Sequence, residues 1–196
     1  MAPPDRPRAA ALTILVRCEQ GVPADVLVDE ARSTLGDRDS AFLLELVYGT
    51  LRNRSLLDWY LGQFSARPLA DTDVWTRNLL RLAAYQMLLL TRVPASAAVN
   101  TATELAKGRG RKPGFVNGVL RALERGRSTL RQPDAVDPVL RSSLLYSHPA
   151  WLVRRWMARF GADAARILLE HGNRPAPLVV RTNVLRTTRS GLLAAL

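Results

Sequence analysis

The chain has 196 residues, 47% hydrophobic and 6% aromatic, which is enough apolar surface for one ample domain or one domain with part of a second. Its single cysteine, Cys18, excludes an internal disulfide framework and a cysteine zinc cluster, and fits a reducing cytoplasm. A net charge of +11, from 28 basic and 17 acidic residues, favours a polyanionic partner, while no apolar run reaches membrane-spanning length.

The charge is unevenly spread. Residues 1–60 hold seven basic and nine acidic side chains, residues 107–131 hold eight and one, and residues 139–196 hold nine and two. Two positive blocks on a nearly neutral body are the pattern of a polyanion-binding surface. The alternative is a soluble basic protein whose arginines are solvated or paired. The N-terminal "MAPPDRPRAA" leads into no apolar core with a cleavage site, so no secretory signal is expected.

In chain order, residues 7–20 place Leu12, Leu15 and Val16 on one side of a helix, with Pro7 tolerated in the first turn and Gly21 ending it. A shorter helix runs from about Ala24 to Leu35 and stops at Gly36. "DRDSAFLLELVYGTLR" carries the clearest stripe, Phe42, Leu43, Leu46, Val47, Thr50 and Leu51, with Asp37 or Asp39 as N-cap. "SLLDWYLGQF" predicts a helix burying Leu57, Tyr60, Leu61 and Phe64. "DTDVWTRNLLRLAAYQMLLLTR" is apolar on nearly every side, which predicts a central helix closed by Pro94. "ASAAVNTATELAK" is rich in small residues that permit close helix contact, and "GRGRKPG" reads as the loop after it.

The next stretch, "FVNGVLR", holds a conflict. Asn117-Gly118 is a strong hairpin-turn signal, yet Phe115, Val116, Val119, Leu120 and Leu123 recur at helical spacing. The spacing persists through the dipeptide and predicts a helix, with Gly118 removing bulk where it crosses a neighbour. The rival is a genuine turn. A mid-helix glycine costs about 1 kcal/mol relative to alanine, so close packing has to offset it.

"RQPDAVDP", residues 131–138, marks a boundary. Beyond it "SHPAWLVRRWMARFG" and "ADAARILLEHGN" predict two helices, "LVVRTN" one short strand, and "TTRSGLLAAL" a capped helix. A lone strand needs sheet partners to satisfy its backbone. The expected architecture is all-α, a helical bundle over residues 1–133 followed by a small, mostly helical segment with one short strand over residues 134–196.

Three stretches carry a resemblance: "DRDSAFLLELVYGTLRNRSLLDWYL", "LLRLAAYQMLLLTRVPASAAVNTATELAK" and "GFVNGVLR". In this order and spacing they resemble the N-terminal part of bacterial ribosomal RNA cytosine-5 methyltransferases of the RsmB type, also called Sun or Fmu. The resemblance implies a helical domain like the antitermination factor NusB, with small-subunit ribosomal RNA as partner. "SHPAWLVRRW", "HGNRPAPLVVRTN" and "TTRSGLLAAL" resemble the segment joining that domain to the methyltransferase domain. Full-length members use S-adenosylmethionine, bound by a glycine-rich loop, and two cysteines in Pro-Cys and Thr-Cys settings. Cys18, in "VRCEQ", matches neither setting, so the chain is expected to hold no cofactor and to be inactive alone. Its reading on the residues is a small buried hydrophobe. The alternative function is a stand-alone antitermination or protein-interaction module with a ribosomal or transcription protein as partner.

The expected RNA contacts are Arg109, Arg111 and Lys112 in the glycine-containing loop, Lys107 before it and Arg121 after it. Arg6 and Arg8 loosely resemble the basic N-terminus that NusB-like domains bring to RNA. Arg154, Arg155 and Arg159 suggest a second basic face beside Trp151 and Trp156, whose helical spacing places the aromatics in a core. His148 and His171 lack partners at ligand spacing, and Asp58, Asp71 and Asp73 read as helix-end or loop residues.

Overall fold

Eleven α-helices and two 3-10 turns make up a computed structural model that describes residues 5–176 and 179–195. The first body holds α1 (Arg6–Glu19), α2 (Ala24–Arg32), α3 (Asp37–Arg52), α4 (Arg54–Gly62), α5 (Val74–Leu89), α6 (Ala95–Gly108) and α7 (Pro113–Arg125). Asp5 caps α1 by accepting from the Arg8 N–H, and Asp73 caps α5 by accepting from the Thr76 N–H. α3 instead has Gly36 as its N-cap, so Asp37 and Asp39 sit in its first turn, where they favour the positive end of the helix dipole. Pro94 likewise opens α6 rather than closing α5, which ends five residues earlier.

α5 is buried on nearly every side from Thr76 through Met87, with Arg77 half-buried, as its apolar sequence requires of a central helix. α1, α3, α4, α6 and α7 all pack on it. α1 runs antiparallel to α5, because Glu19 reaches Arg77 and Arg81 while Arg8 reaches Gln86. The α3 stripe faces this core with Leu43, Leu46, Val47 and Thr50 buried and Phe42 and Leu51 half-buried.

Residues 113–125 form one helix, so the hairpin reading of Asn117-Gly118 is excluded. The packing role given to Gly118 is also overturned. Both residues are exposed, and a Cβ at Gly118 would meet nothing. The helical rhythm therefore comes from Val116, Val119, Leu120 and Leu123, which are buried. Gly118→Ala should raise the stability of the chain by up to about 1 kcal/mol, read as a higher urea midpoint at unchanged slope. A lowered midpoint would show that the backbone there needs glycine.

The boundary at residues 131–138 is bound, not loose. The Arg131 carbonyl accepts from Trp59 Nε1 at 2.8 Å and from Gln63 Nε2 at 2.9 Å, and the Tyr60 hydroxyl donates to Gln132 at 3.0 Å. The chain is thus strapped across α4 before α8 (Pro138–Tyr146) begins. α8 is a helix beyond the two that the sequence predicts between the boundary and residue 173. With α9 (Ala150–Phe160) and α10 (Ala162–Gly172) it forms a small unit around Val153, Ala165 and Leu169. α8 docks on α4, and Ser147 supplies the cap that α4 lacks, accepting from the N–H groups of Ser55 at 3.0 Å and Leu56 at 3.2 Å.

Residues 179–183 carry no strand, which corrects the expectation for "LVVRTN"; its Leu178 lies outside the described residues. Among the described residues no second strand exists to complete a ladder, and without one the β-branched run has nothing to pair with. The chain ends its described part in α11 (Arg189–Ala195), capped by the Thr188 hydroxyl. No helix of the described residues is long and apolar enough to cross a membrane.

Candidate nucleic-acid interface

The turn from α6 to α7 is built by its glycines and proline. α6 ends in a left-handed Gly110, φ +65°, with the Arg111 N–H donating to the Ala106 carbonyl at 2.9 Å and the Gly110 N–H to Lys107 at 3.0 Å. This is the Schellman closure, which glycine permits at no steric cost. Pro113 then opens α7 at the position where its missing N–H is harmless. The turn therefore has a fixed backbone, and it holds Lys107, Arg109, Arg111 and Lys112 together at one end of the bundle.

Their side chains differ in freedom. Arg109 and Lys112 are exposed and make no ion pair among the described residues. Lys107 stands 3.9 Å from Glu104, both largely exposed, a pair worth little in water. Arg111 reaches Asp73 at 3.4 Å and ties the turn to the start of α5. Burial pushes the Asp73 carboxyl up, but the Thr76 hydrogen bonds and the Arg111 charge outweigh it and hold the group below its ordinary range.

Sequence reasoning missed Arg67. It lies on the connection between α4 and α5, exposed, with its guanidinium 4.9 Å from the centre of the Phe115 ring. That places a further cation beside the first turn of α7, held over an aromatic face. Nothing in the sequence around Arg67 marks it, because the partner is 48 residues away (115 less 67).

The other expected contacts lie elsewhere. Arg8 is committed inside the bundle, to Asp5, to Gln86 and over the Phe42 ring at 4.9 Å, with its side chain only 15% exposed. Arg6 is exposed in the first turn of α1. Arg8 meets α5 at Gln86 and Arg111 meets it at Asp73, so the two groups stand about 20 Å apart at about 1.5 Å per residue. Arg121 sits between, on α7, paired to Glu124 at 2.8 Å and hydrogen-bonded to Asn100 at 3.3 Å. The seven predicted residues are therefore not one patch: four share the turn, and Arg6, Arg8 and Arg121 are apart from it.

Two more arginines are removed from the surface by a network between α1, α4 and α5. Arg81 is buried and grips Asp58 with two bonds of 2.7 Å each, while also bonding Glu19. Arg77 binds Glu19 at 2.7 Å. Asp58 is thus a structural ion-pair partner rather than a helix-end residue. The network borders an open depression of about 790 Å³ that Cys18 and Arg54 also line. Burial pushes the half-buried Cys18 thiol up, against the opposing charge of Arg17, so it is a poor thiolate.

In the second unit the core reading holds only for Trp156, half-buried beside His148 with 6.0 Å between rings. Trp151 is 61% exposed, a correction to its expected place in a core. The helix turns Val153 inward instead, and Trp151 falls on the opposite side. His171 is exposed, and the described residues contain no cluster of metal-ligating side chains.

Comparison with known proteins follows the same division. Residues 5–125 match the NusB family, and residues 148–196 match the ferredoxin-like domain of RsmF/B-like methyltransferases. The probable ribosomal RNA small subunit methyltransferase B of Bacillus subtilis (strain 168) is 38% identical over 192 residues, 95% of this chain and 42% of that protein. The chain thus spans less than half the length of the curated relatives it matches. The solved structure of T. maritima NusB superposes with a TM-score of 0.58 at 25% identity, over 63% of this chain and 92% of that one. The crystal structure of PH0851 shares the fold over 99% of this chain and 44% of its own, with a TM-score of 0.68 at 17% identity. The helical body from α1 to α7 makes this chain a member of the NusB family, continued by a segment of an RsmF/B-like ferredoxin-like domain.

Proposed function

We propose that this chain is the RNA-holding N-terminal portion of an S-adenosylmethionine-dependent methyltransferase acting on cytosine C5 of small-subunit ribosomal RNA. Residues 1–133 form the RNA-seating domain and residues 134–196 lead toward the methyltransferase module. The observation that carries the reading is the fixed α6–α7 turn, which presents Arg109 and Lys112 without ion pairs among the described residues and with Arg67 alongside. Guanidinium and ammonium groups held on such a turn suit phosphate oxygens, which fix register without reading sequence. Chemistry at a base requires that base to be unpaired or extruded, so a separate body that seats the surrounding RNA has a physical use.

The residues present do not fit an S-adenosylmethionine site. The described residues hold no strand from which a glycine-rich loop could approach the cofactor, and burial pushes the Cys18 thiol on α1 up, away from the thiolate. No step of methyl transfer is assigned to this chain. Its own residues bind and orient.

A salt titration with a structured fragment of small-subunit ribosomal RNA tests the reading. Binding should weaken steeply with salt, and the Arg109→Ala/Lys112→Ala variant should lose about 2 from the log–log slope, near one per phosphate contact. Arg8→Ala should leave the slope nearly unchanged, because Arg8 is spent inside the bundle. Salt-independent binding, or a double variant with the wild-type slope, would refute the proposal.

A further inference from the structure

We infer that the outward face of α9 is a stacking platform for unpaired RNA bases, with Trp151 as its aromatic surface and Arg154, Arg155 and Arg159 as its phosphate contacts. The inference rests on the RNA-binding reading above but places a second, chemically different site on the other unit of the chain.

On a helix of about 3.6 residues per turn, positions three, four, seven and eight after Trp151 share its side. Those positions are Arg154, Arg155, Ala158 and Arg159, and all are exposed. Val153 is buried on the opposite side, with Leu152, Trp156 and Met157 half-buried around it. An amphipathic helix sends its polar residues outward, and here the centre of the outward side is a tryptophan, 61% exposed. Nothing within the described chain covers it. The small Ala158 leaves the space along the helix beyond the indole open.

The surrounding charge selects the ligand. Arg154 and Arg155 have no ion pair among the described residues, and Arg159 lies 5.6 Å from the Phe160 ring rather than on a carboxylate. Glu170, on the neighbouring α10, is already held by Arg166 at 2.7 Å and by the Tyr146 hydroxyl at 3.0 Å. An exposed aromatic plane among three uncompensated guanidinium groups matches a strand that offers both base faces and phosphates. A duplex stacks its bases on one another and offers only the phosphates. The platform therefore favours single-stranded over double-stranded RNA, whereas the α6–α7 turn accepts either.

Fluorescence anisotropy on the full chain, with a labelled single-stranded RNA and a duplex of the same length, separates the two sites. Trp151→Ala should weaken single-strand binding about 10-fold with an unchanged salt slope, since a stack and no phosphate contact is lost. Its effect on the duplex should be small, and Trp151→Phe should retain most of the affinity. Arg154→Ala/Arg155→Ala should lower the single-strand slope by about 1.4, at about 0.7 per phosphate. Circular dichroism should be unaltered, because the substituted side chains are exposed. Wild-type single-strand affinity in Trp151→Ala overturns the inference, as does an equal loss on strand and duplex. If Trp151→Ala is silent while Arg109→Ala/Lys112→Ala weakens binding, the platform is wrong and the RNA-seating turn stands. If both are silent, both readings fall, and the basic face of α9 belongs to a protein contact.

Discussion

Arg81→Ala should destabilise this chain by about 3 kcal/mol, the scale at which a buried ion pair loses one partner. Arg81 is 6% exposed and joins Asp58 on α4 to Glu19 on α1 through α5. Its removal leaves two carboxylates close together in a partly dry setting, with Arg77 able to serve Glu19 but not Asp58. The measurement is urea unfolding of the two proteins. Glu19→Gln introduced into Arg81→Ala should recover part of the loss, because it deletes one of the stranded charges. A loss below about 1 kcal/mol would mean that the network is solvated like a surface pair.

The same network sets an acid limb. Burial pushes the Glu19 carboxyl up, but hydrogen bonds from Arg77, Arg81 and Asn78 and the charge of Arg81 outweigh it, leaving the group below its ordinary value of 4.5. A carboxyl lowered on folding adds stability above the unfolded value, and that contribution is lost as the pH falls toward the folded one. Stability of the wild-type chain should therefore fall on acidification below about 4.5, and Arg81→Ala should show a shallower fall over that window.

Gly49→Ala should cost about 3 kcal/mol, at the upper end for forcing an extra carbon into a packed core. Gly49 lies on α3 where that helix crosses α5, and a Cβ there would overlap the Tyr85 ring and its hydroxyl. Tyr85 cannot swing clear. It is 5% exposed, and its hydroxyl is bonded to Glu45 one turn back along α3. The check is the urea midpoint of Gly49→Ala beside that of Gly49→Ala/Tyr85→Leu, where the smaller side chain should recover part of the loss. A midpoint for Gly49→Ala close to wild type would show that α3 and α5 separate at little cost.

These two sites mark what was not legible in the sequence. Gly49 and Gly118 are both mid-helix glycines, and only the second stands in a hairpin-like dipeptide. Helical periodicity says which side of a helix faces the core, but not which residue of a distant helix lies over a given Cα. Tyr85 lies over Gly49 and nothing lies over Gly118. Arginine shows the same limit. Arg8, Arg77, Arg81, Arg109 and Arg67 are equivalent cations in a composition, yet three are tied into the interior or its carboxylates, Arg67 lies over the Phe115 ring, and Arg109 makes no ion pair among the described residues.

Legible in the amino acids alone were the predominantly helical class, the central place of α5, the apolar stripes of α3, α4 and α7, and the basic turn after α6. Each of these is a local property: period, capping chemistry, turn residues and charge density act within a few turns of one helix. Helix packing settled that Arg67 joins that turn, that Arg8 is tied to Asp5, Gln86 and Phe42 rather than presented outward, that Trp151 faces outward, and that residues 131 and 132 are strapped to α4. Those outcomes depend on pairs tens of residues apart, whose distance is set by helix packing and by which carboxylate or ring the fold carries into reach.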